Sequence, residues 1–457
     1  MKEIRIIHTN DIHSSFDELL RLSSIIKANT KENTLLLDAG DFNDFSSLLT
    51  KGTYGKAGLD VLDYLEYEAL TIGNNEGFQH IKTIEKMCAS TKINVLSCNL
   101  FKEDNKTLKK VKPFAIKEVS GIKFLIIGVS PYKESYNEYF NCYGLKVVEP
   151  FEIIRRIIKE NKGNYDFAIL LSHLGLKTDI MMSQSIDSID IIVGGHSHHA
   201  INAVKVNNSI IHQSGVRGSH VGILDIQIEN NKIVGFNDKN IEVSKDYGQD
   251  INALKILKDS EKIAFENLSK IVACAKENLS YSIEKECNFT NLLADYLYNK
   301  YPCDFVVLNS GVTEYNIAKG KVSKKEIALT CNSPLIVSSI YIKGKHLLKA
   351  IEESYDISKC FYGKRMIGFR GRFLGKLHTS FNCRINNKQL FINNLLLESQ
   401  QYYKIVTVDL LSRGMGYRSL KRHKECKLLN ETIQEVIVNA INDQKAYKNI
   451  NINRWED

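Results

Sequence analysis

Short apolar runs alternate with stretches of helical periodicity from the start of the chain to about residue 230. Runs of strand length fall at 4–8, 34–38, 69–72, 93–98, 122–129, 166–171, 189–193, 209–213 and 221–228. Segments 16–29, 57–67, 79–90, 150–162 and 178–187 carry apolar residues at helical spacing. Alternation of this kind predicts a layered α/β domain. The run INALKILKDSEKIAFENLSKIVACAKENL, 251–279, keeps helical spacing without Gly or Pro and predicts one long helix. The pattern then restarts with a helix over 288–300 (NFTNLLADYLYNK) and a strand and turn over 304–311 (DFVVLNSG). The expected organisation is a first domain over 1–247, a linking helix within 248–280 and a second domain over 281–457.

Length agrees with two domains, because 457 residues exceed what one ordinary core organises. A hydrophobic fraction of 43% and a charged fraction of 25% are those of a soluble globular chain. No run approaches the roughly 18 to 20 apolar residues that span a bilayer, so no membrane partner is expected. The start MKEIRIIHTNDIHS turns polar after IRII and lacks the apolar core of a secretory signal, which predicts a cytoplasmic protein. The ten cysteines are scattered from Cys88 to Cys426 without a CxxC pair and read as reduced thiols. The formal charge of +8 comes largely from Lys and Arg interleaved with acids, a solvated helical face that also favours anionic substrates. No nucleic-acid-binding signature is present, and no nucleic-acid polymer is expected as a partner.

Candidate chemistry concentrates just past the predicted strands. IRIIHTNDIH releases Asp11 and His13, LLLDAGD releases Asp41, and ALTIGNNE releases Asn74. AILLSH releases His173, and DIIVGGHSH releases His196 and His198. The carboxyl ends of strands are where open α/β sheets collect ligands. A single Asp or Asn there is an ordinary turn residue, but five strands together supply four imidazoles and three oxygen donors. That mixture suits Zn, Mn, Fe or Co better than Mg or Ca. Seven donors are too many for one tetrahedral ion and fit two divalent ions sharing a carboxylate, an arrangement that activates water and neutralises a transferring phosphoryl group.

HTNDIH, AGDFNDF, IGNNE, SHLG and GGHSHH resemble, in order and spacing, the motifs of the calcineurin-like metallophosphoesterase superfamily. More closely they are similar to the 5'-nucleotidase family, which includes UDP-sugar hydrolases and 2',3'-cyclic-nucleotide phosphodiesterases, and to its signal-less GNNEG subgroup. The resemblance implies a four-layer αββα sandwich followed by a smaller α+β domain that binds the nucleotide. It implies one metal held by Asp11, His13, Asp41 and His198, and a second by Asp41, Asn74, His173 and His196, with Asp41 bridging. The implied activity is phosphate removal from nucleotides in nucleotide catabolism, most simply that of a 5'-nucleotidase, by attack of a metal-activated hydroxide on phosphorus. Cleavage of cyclic nucleotides, UDP-sugars or dinucleotides is an alternative; another is a slow metal- and nucleotide-binding protein.

The last alternative arises because relatives carry GNHEFD, whose His and Asp form a dyad, where this chain reads Gly73-Asn74-Asn75-Glu76-Gly77-Phe78. Asn75 donates hydrogen bonds but carries no positive charge. Asn75, Asn74 and Asp41 are therefore the expected catalytic set, with His80 a nearby substitute. His8 and Asn10 are expected to shape the first metal loop. In the C-terminal half, YGKRMIGFRGRFLGK interleaves Arg365, Arg370 and Arg372 with Phe369 and Phe373. Arginines beside a stacking aromatic make a nucleotide pocket, and the resemblance adds Asn309 and Tyr417, the latter as a base-stacking partner for Phe369.

Overall fold

A computed structural model describes residues 1–361 and 372–456. The chain divides into two compact units, Met1–Phe265 and Glu266–Asp457.

The first unit is built on two sheets. One has seven strands in the order Lys232–Glu242, His220–Glu229, Lys2–Thr9, Thr34–Asp38, Ala69–Thr71, Asn94–Leu96, Val111–Lys112. The other has six, ordered Ala200–Val206, Ser209–Ser214, Ile191–Gly194, Phe167–Ser172, Ile122–Val129, Phe114–Val119. The twofold alternation of side chains along a strand fixes the layers. Ile4, Ile6, Leu35 and Leu37 face one way and pack with Phe124, Ile126, Ile169, Leu171 and Val193 of the other sheet. Ile7, Leu36 and Leu70 face the opposite way, onto helices Phe16–Asn29, Lys56–Tyr64 and Ile81–Ala89. Leu125, Ile127, Leu170 and Ile192 do the same on the second sheet, beneath Phe151–Glu160 and Leu176–Ser185. The result is the expected αββα order, and strands buried on both faces explain their near-continuous apolar runs.

The second unit has one main core, gathered around a five-stranded sheet ordered Leu377–Thr379, Phe305–Asn309, Tyr402–Val408, Ile336–Lys343, Glu425–Thr432. Helix Asn288–Lys300 lies on it, buried through Phe289, Leu292, Leu293 and Leu297.

The helix expected over 251–279 is shorter. It runs Ile251–Leu268 and gives way to the strand Ile271–Ala275, which pairs antiparallel with Gly320–Ser323. The sequence IVACA starts with two β-branched residues, and ladder pairing recovers hydrogen bonds that outweigh a helical pattern shared by chance. No helix among the described residues is long and apolar enough to cross a membrane.

Candidate metal centre

Strands Lys2–Thr9, Thr34–Asp38 and Ala69–Thr71 are parallel neighbours, as are Phe167–Ser172 and Ile191–Gly194. Their carboxyl ends turn the seven predicted donors out of the two sheets. These turns are unusual in backbone. Asp11, His13, Asp41, His196 and His198 all have φ between 50° and 72°, the left-handed region that non-glycine residues avoid. Strain of this kind persists only where its surroundings over-determine it, and it clusters at functional sites. Glycine opens the remaining space: a Cβ on Gly73 would lie 2.1 Å from Asp41 Oδ1. On Gly195 it would lie 2.9 Å from the carbonyl of Ala39 and 3.0 Å from Asp11 Oδ2.

Five of the seven donors converge into two groups with ligand atoms within 4.8 Å of one another: Asp11, His13 and His198, and Asp11, Asp41 and His173. Asp11 Oδ1 lies 3.6 Å from His13 Nε2, 3.3 Å from His198 Nε2 and 3.8 Å from His173 Nε2. Asp41 Oδ2 lies 3.4 Å from His173 Nε2 and 4.0 Å from His13 Nε2, so Asp41 reaches toward both groups. The other two donors adjoin them. The His196 ring is edge-on to His173 at 5.2 Å, and its backbone N–H donates to Asp11 Oδ2 at 2.8 Å. Asn74 follows Gly73 at the start of the short helix Asn74–Gly77.

The hydrogen-bond pattern is that of a site shaped for cations. Asp11 Oδ1, Asn74 Oδ1 and His173 Nε2 are buried with no hydrogen-bond partner, a costly state for polar atoms unless another group satisfies them. A divalent ion accepts all three atom types, so the donor set fits the group the sequence implies. The second nitrogen of His173 donates to the carbonyl of Ala39 at 2.6 Å, which turns Nε2 inward. Asn10 holds Asp11 with a 2.8 Å hydrogen bond and is itself fixed by Ser214. His8 pairs with His212 at 2.8 Å between buried rings.

Electrostatics follow from burial and proximity. Burial is the largest single influence on the Asp41 carboxyl and pushes it up, but the charge and hydrogen bond of His173 together with the charge of His13 outweigh it and hold it at about 2. Asp11 is likewise held low against burial by His173, His13, His198 and Asn10. Burial works to neutralise His173, yet the two carboxylates raise it to about 10. His196 is lowered to about 4 by burial and by the charge on His173.

Asn75 does not point away from the carboxylates. Its Nδ2 donates to Asp41 Oδ2 at 2.6 Å and lies 3.2 Å from His13 Nδ1, and its backbone N–H donates to Asp41 Oδ1 at 2.7 Å. Its amide braces the expected bridging carboxylate. Phe78, at the position of the relatives' Asp, sits among Tyr136, Tyr139, Phe140 and Tyr143 with ring centroids 5.3 to 6.4 Å away. His80 precedes helix Ile81–Ala89 and packs edge-on against Tyr143 at 5.3 Å. Tyr136 was not singled out in the sequence: its hydroxyl lies 3.4 Å from His196 Nε2. A lone tyrosine 60 residues before its histidine partner carries no motif.

Among the expected nucleotide contacts, Arg365, Phe369 and Arg370 lie outside the described residues. Arg372 is exposed, donates to the Tyr315 hydroxyl at 3.1 Å and lies 5.8 Å from that ring. Tyr417 requires correction as a base-stacking partner. Its ring is wholly buried in the core of the second unit and its hydroxyl donates to the Gly375 carbonyl at 3.0 Å, leaving no free face. Asn309 is also fully buried, its Nδ2 donating to the Leu374 carbonyl at 2.6 Å, so it braces a loop.

Residues 4–200 match the calcineurin-like phosphoesterase family and residues 271–422 match the 5'-nucleotidase C-terminal domain. An uncharacterized metallophosphoesterase of Bacillus subtilis, YunD, is 27% identical over 91% of this chain and 94% of its own length. The 5'-nucleotidase of Mus musculus is 22% identical over 92% of this chain and 84% of its own. Among solved structures, the NAD nucleotidase of Haemophilus influenzae superposes with a TM-score of 0.63 at 17% identity, covering 96% of each chain. The chain carries both domains in that order.

Proposed function

We propose that this calcineurin-like phosphoesterase with a 5'-nucleotidase C-terminal domain removes phosphate from nucleotides as a 5'-nucleotidase, using two divalent ions. The observation that carries the reading is the set of buried, unpartnered atoms, Asp11 Oδ1, Asn74 Oδ1 and His173 Nε2, at strand ends beside further histidines. In the proposed assignment Asp11, His13, Asp41 and His198 hold one ion, and Asp41, Asn74, His173 and His196 hold the other. Such a pair supplies an activated water and neutralises charge on the phosphoryl group. The protein's own residues set the geometry: Ala39 and Asn10 fix His173 and Asp11, and Asn75 fixes Asp41. Mn, Zn, Fe or Co suits these donors.

Nucleotide recognition is proposed for the second domain, through Arg365, Phe369 and Arg370 and through Arg372 with its neighbour Tyr315. We also assign the protein to the cytoplasm, in keeping with ten cysteines that are free and mostly buried. The test is hydrolysis by protein supplied with Mn²⁺, Zn²⁺ or Co²⁺ of nucleoside monophosphates, cyclic nucleotides, UDP-glucose and NAD. NAD is included because the similar Haemophilus influenzae structure is that of an NAD nucleotidase. Preferred release of phosphate from nucleoside monophosphates, lost in Asp41→Ala, is the expected result. Preference for a diester or pyrophosphate would move the assignment to those substrates. Bound metal without turnover above Asp41→Ala would leave a binding protein.

A further inference from the structure

The stretch Gly73-Asn74-Asn75-Glu76-Gly77-Phe78 does more than drop a histidine and an acid. It builds a seat. A Cβ on Gly77 would lie 2.6 Å from Phe140 Cε1, so only glycine lets that ring approach. Phe78 then packs on Phe140 at 5.3 Å and edge-on to Tyr136 at 6.2 Å. Both aromatics belong to the helix Glu134–Cys142, and Phe140 is fully buried. The helix is thereby docked with its first turn at the metal centre. Tyr136 is half-buried, with its ring edge-on to His196 at 6.1 Å and its hydroxyl 3.4 Å from His196 Nε2.

That separation is long for a hydroxyl hydrogen bond, so the phenol hydrogen is free to turn to a stronger acceptor. Lys133, the residue just before the same helix, keeps its ammonium 5.6 Å from the Tyr136 ring and adds positive charge at this rim. Asn75, by contrast, directs its amide at Asp41.

We propose that Tyr136 donates a hydrogen bond to an oxygen of the transferring phosphoryl group, supplying from the helix Glu134–Cys142 the contact that the Asn75–Phe78 stretch lacks. The inference rests on the phosphohydrolase reading of the site. No covalent step is assigned to the phenol; it stays protonated and acts as a donor to developing negative charge.

Tyr136→Phe keeps the ring and its packing on Phe78 and removes only the hydroxyl. The deciding measurement is binding of orthovanadate, a mimic of the transferring phosphoryl group, to Mn²⁺-loaded protein by calorimetry. Metal content and melting temperature are recorded on the same samples, and kcat and KM on a nucleoside monophosphate. Expected are an affinity for orthovanadate about 10-fold weaker and a kcat about 10- to 100-fold lower, with KM, bound metal and melting temperature unchanged. Equal orthovanadate affinity in the two proteins overturns the proposal, as does an absence of orthovanadate binding to the wild type. A loss of bound metal in parallel with affinity also overturns it, because Tyr136 would then only position His196. A wild type that binds orthovanadate but hydrolyses no phosphoester removes the hydrolase reading, while the difference in binding still decides the Tyr136 contact.

Discussion

His173 is oriented from behind, by donation from Nδ1 to the Ala39 carbonyl, and Asp41 from in front, by the side chain and backbone of Asn75. Partners of this kind, one bond removed from a metal, usually change affinity or activity about 10- to 100-fold when lost. Asn75→Ala is therefore expected to weaken Mn²⁺ binding by about 10-fold, measured by competition with a chelating dye, while the melting temperature of the metal-free protein barely moves. A histidine at 75 would give up the 2.6 Å bond to Asp41 Oδ2, so Asn75→His is expected to lower activity as well. A second prediction concerns Asp179, buried behind the site, where Ser172 donates to it at 2.5 Å and Gln213 at 3.1 Å. Burial raises its carboxyl to about 7 against these hydrogen bonds. The unfolded chain ionises near pH 4, so this group favours the fold fully below about pH 4 and loses that contribution as pH rises toward 7. Asp179→Asn lacks this titration. Its melting temperature relative to wild type should therefore rise between pH 5 and pH 7.5.

At the scale of elements, the strand ends carry the site and their turns tolerate little change. Gly73 has an ordinary φ of −86°, so its requirement is steric: an added methyl would meet Asp41 Oδ1. Gly73→Ala should displace either Asp41 or the Asn74 turn and reduce the bound metal, read by elemental analysis on otherwise folded protein. In the second unit, Phe305 is fully buried on the central sheet. Phe305→Ala should destabilise that unit by about 3–5 kcal/mol, seen as an earlier unfolding step in denaturant titration. Metal binding by the first unit should persist in such a variant.

For the whole molecule, metal and stability are linked. Asp11 and Asp41 face His173 across the candidate centre, where a bound ion would supply the balancing positive charge. Chelation should lower the melting temperature of the first unit, since a ligand at about 100 times its Kd contributes about 2.7 kcal/mol. The second unit, with its own core, should melt unchanged. Two transitions in calorimetry, only one of them sensitive to chelator, would be the expected record.

The sequence by itself determined the strand-and-helix alternation of the first unit and all seven candidate ligands, because both follow from local rules. Apolar periodicity dictates which face of a strand is buried, and the residues just past a parallel strand must lie at one edge of the sheet. The end of the helix at Leu268 was not legible, since IVACA fits either pattern until Gly320–Ser323 offers it a ladder. Tyr417 could not be told from an exposed aromatic until the core closed around it. Only the tertiary structure turned Asn75 toward Asp41 and brought Tyr136 to His196, because neither pairing repeats along the chain. Donors could be counted in one dimension; their orientation depends on packing between segments far apart in sequence.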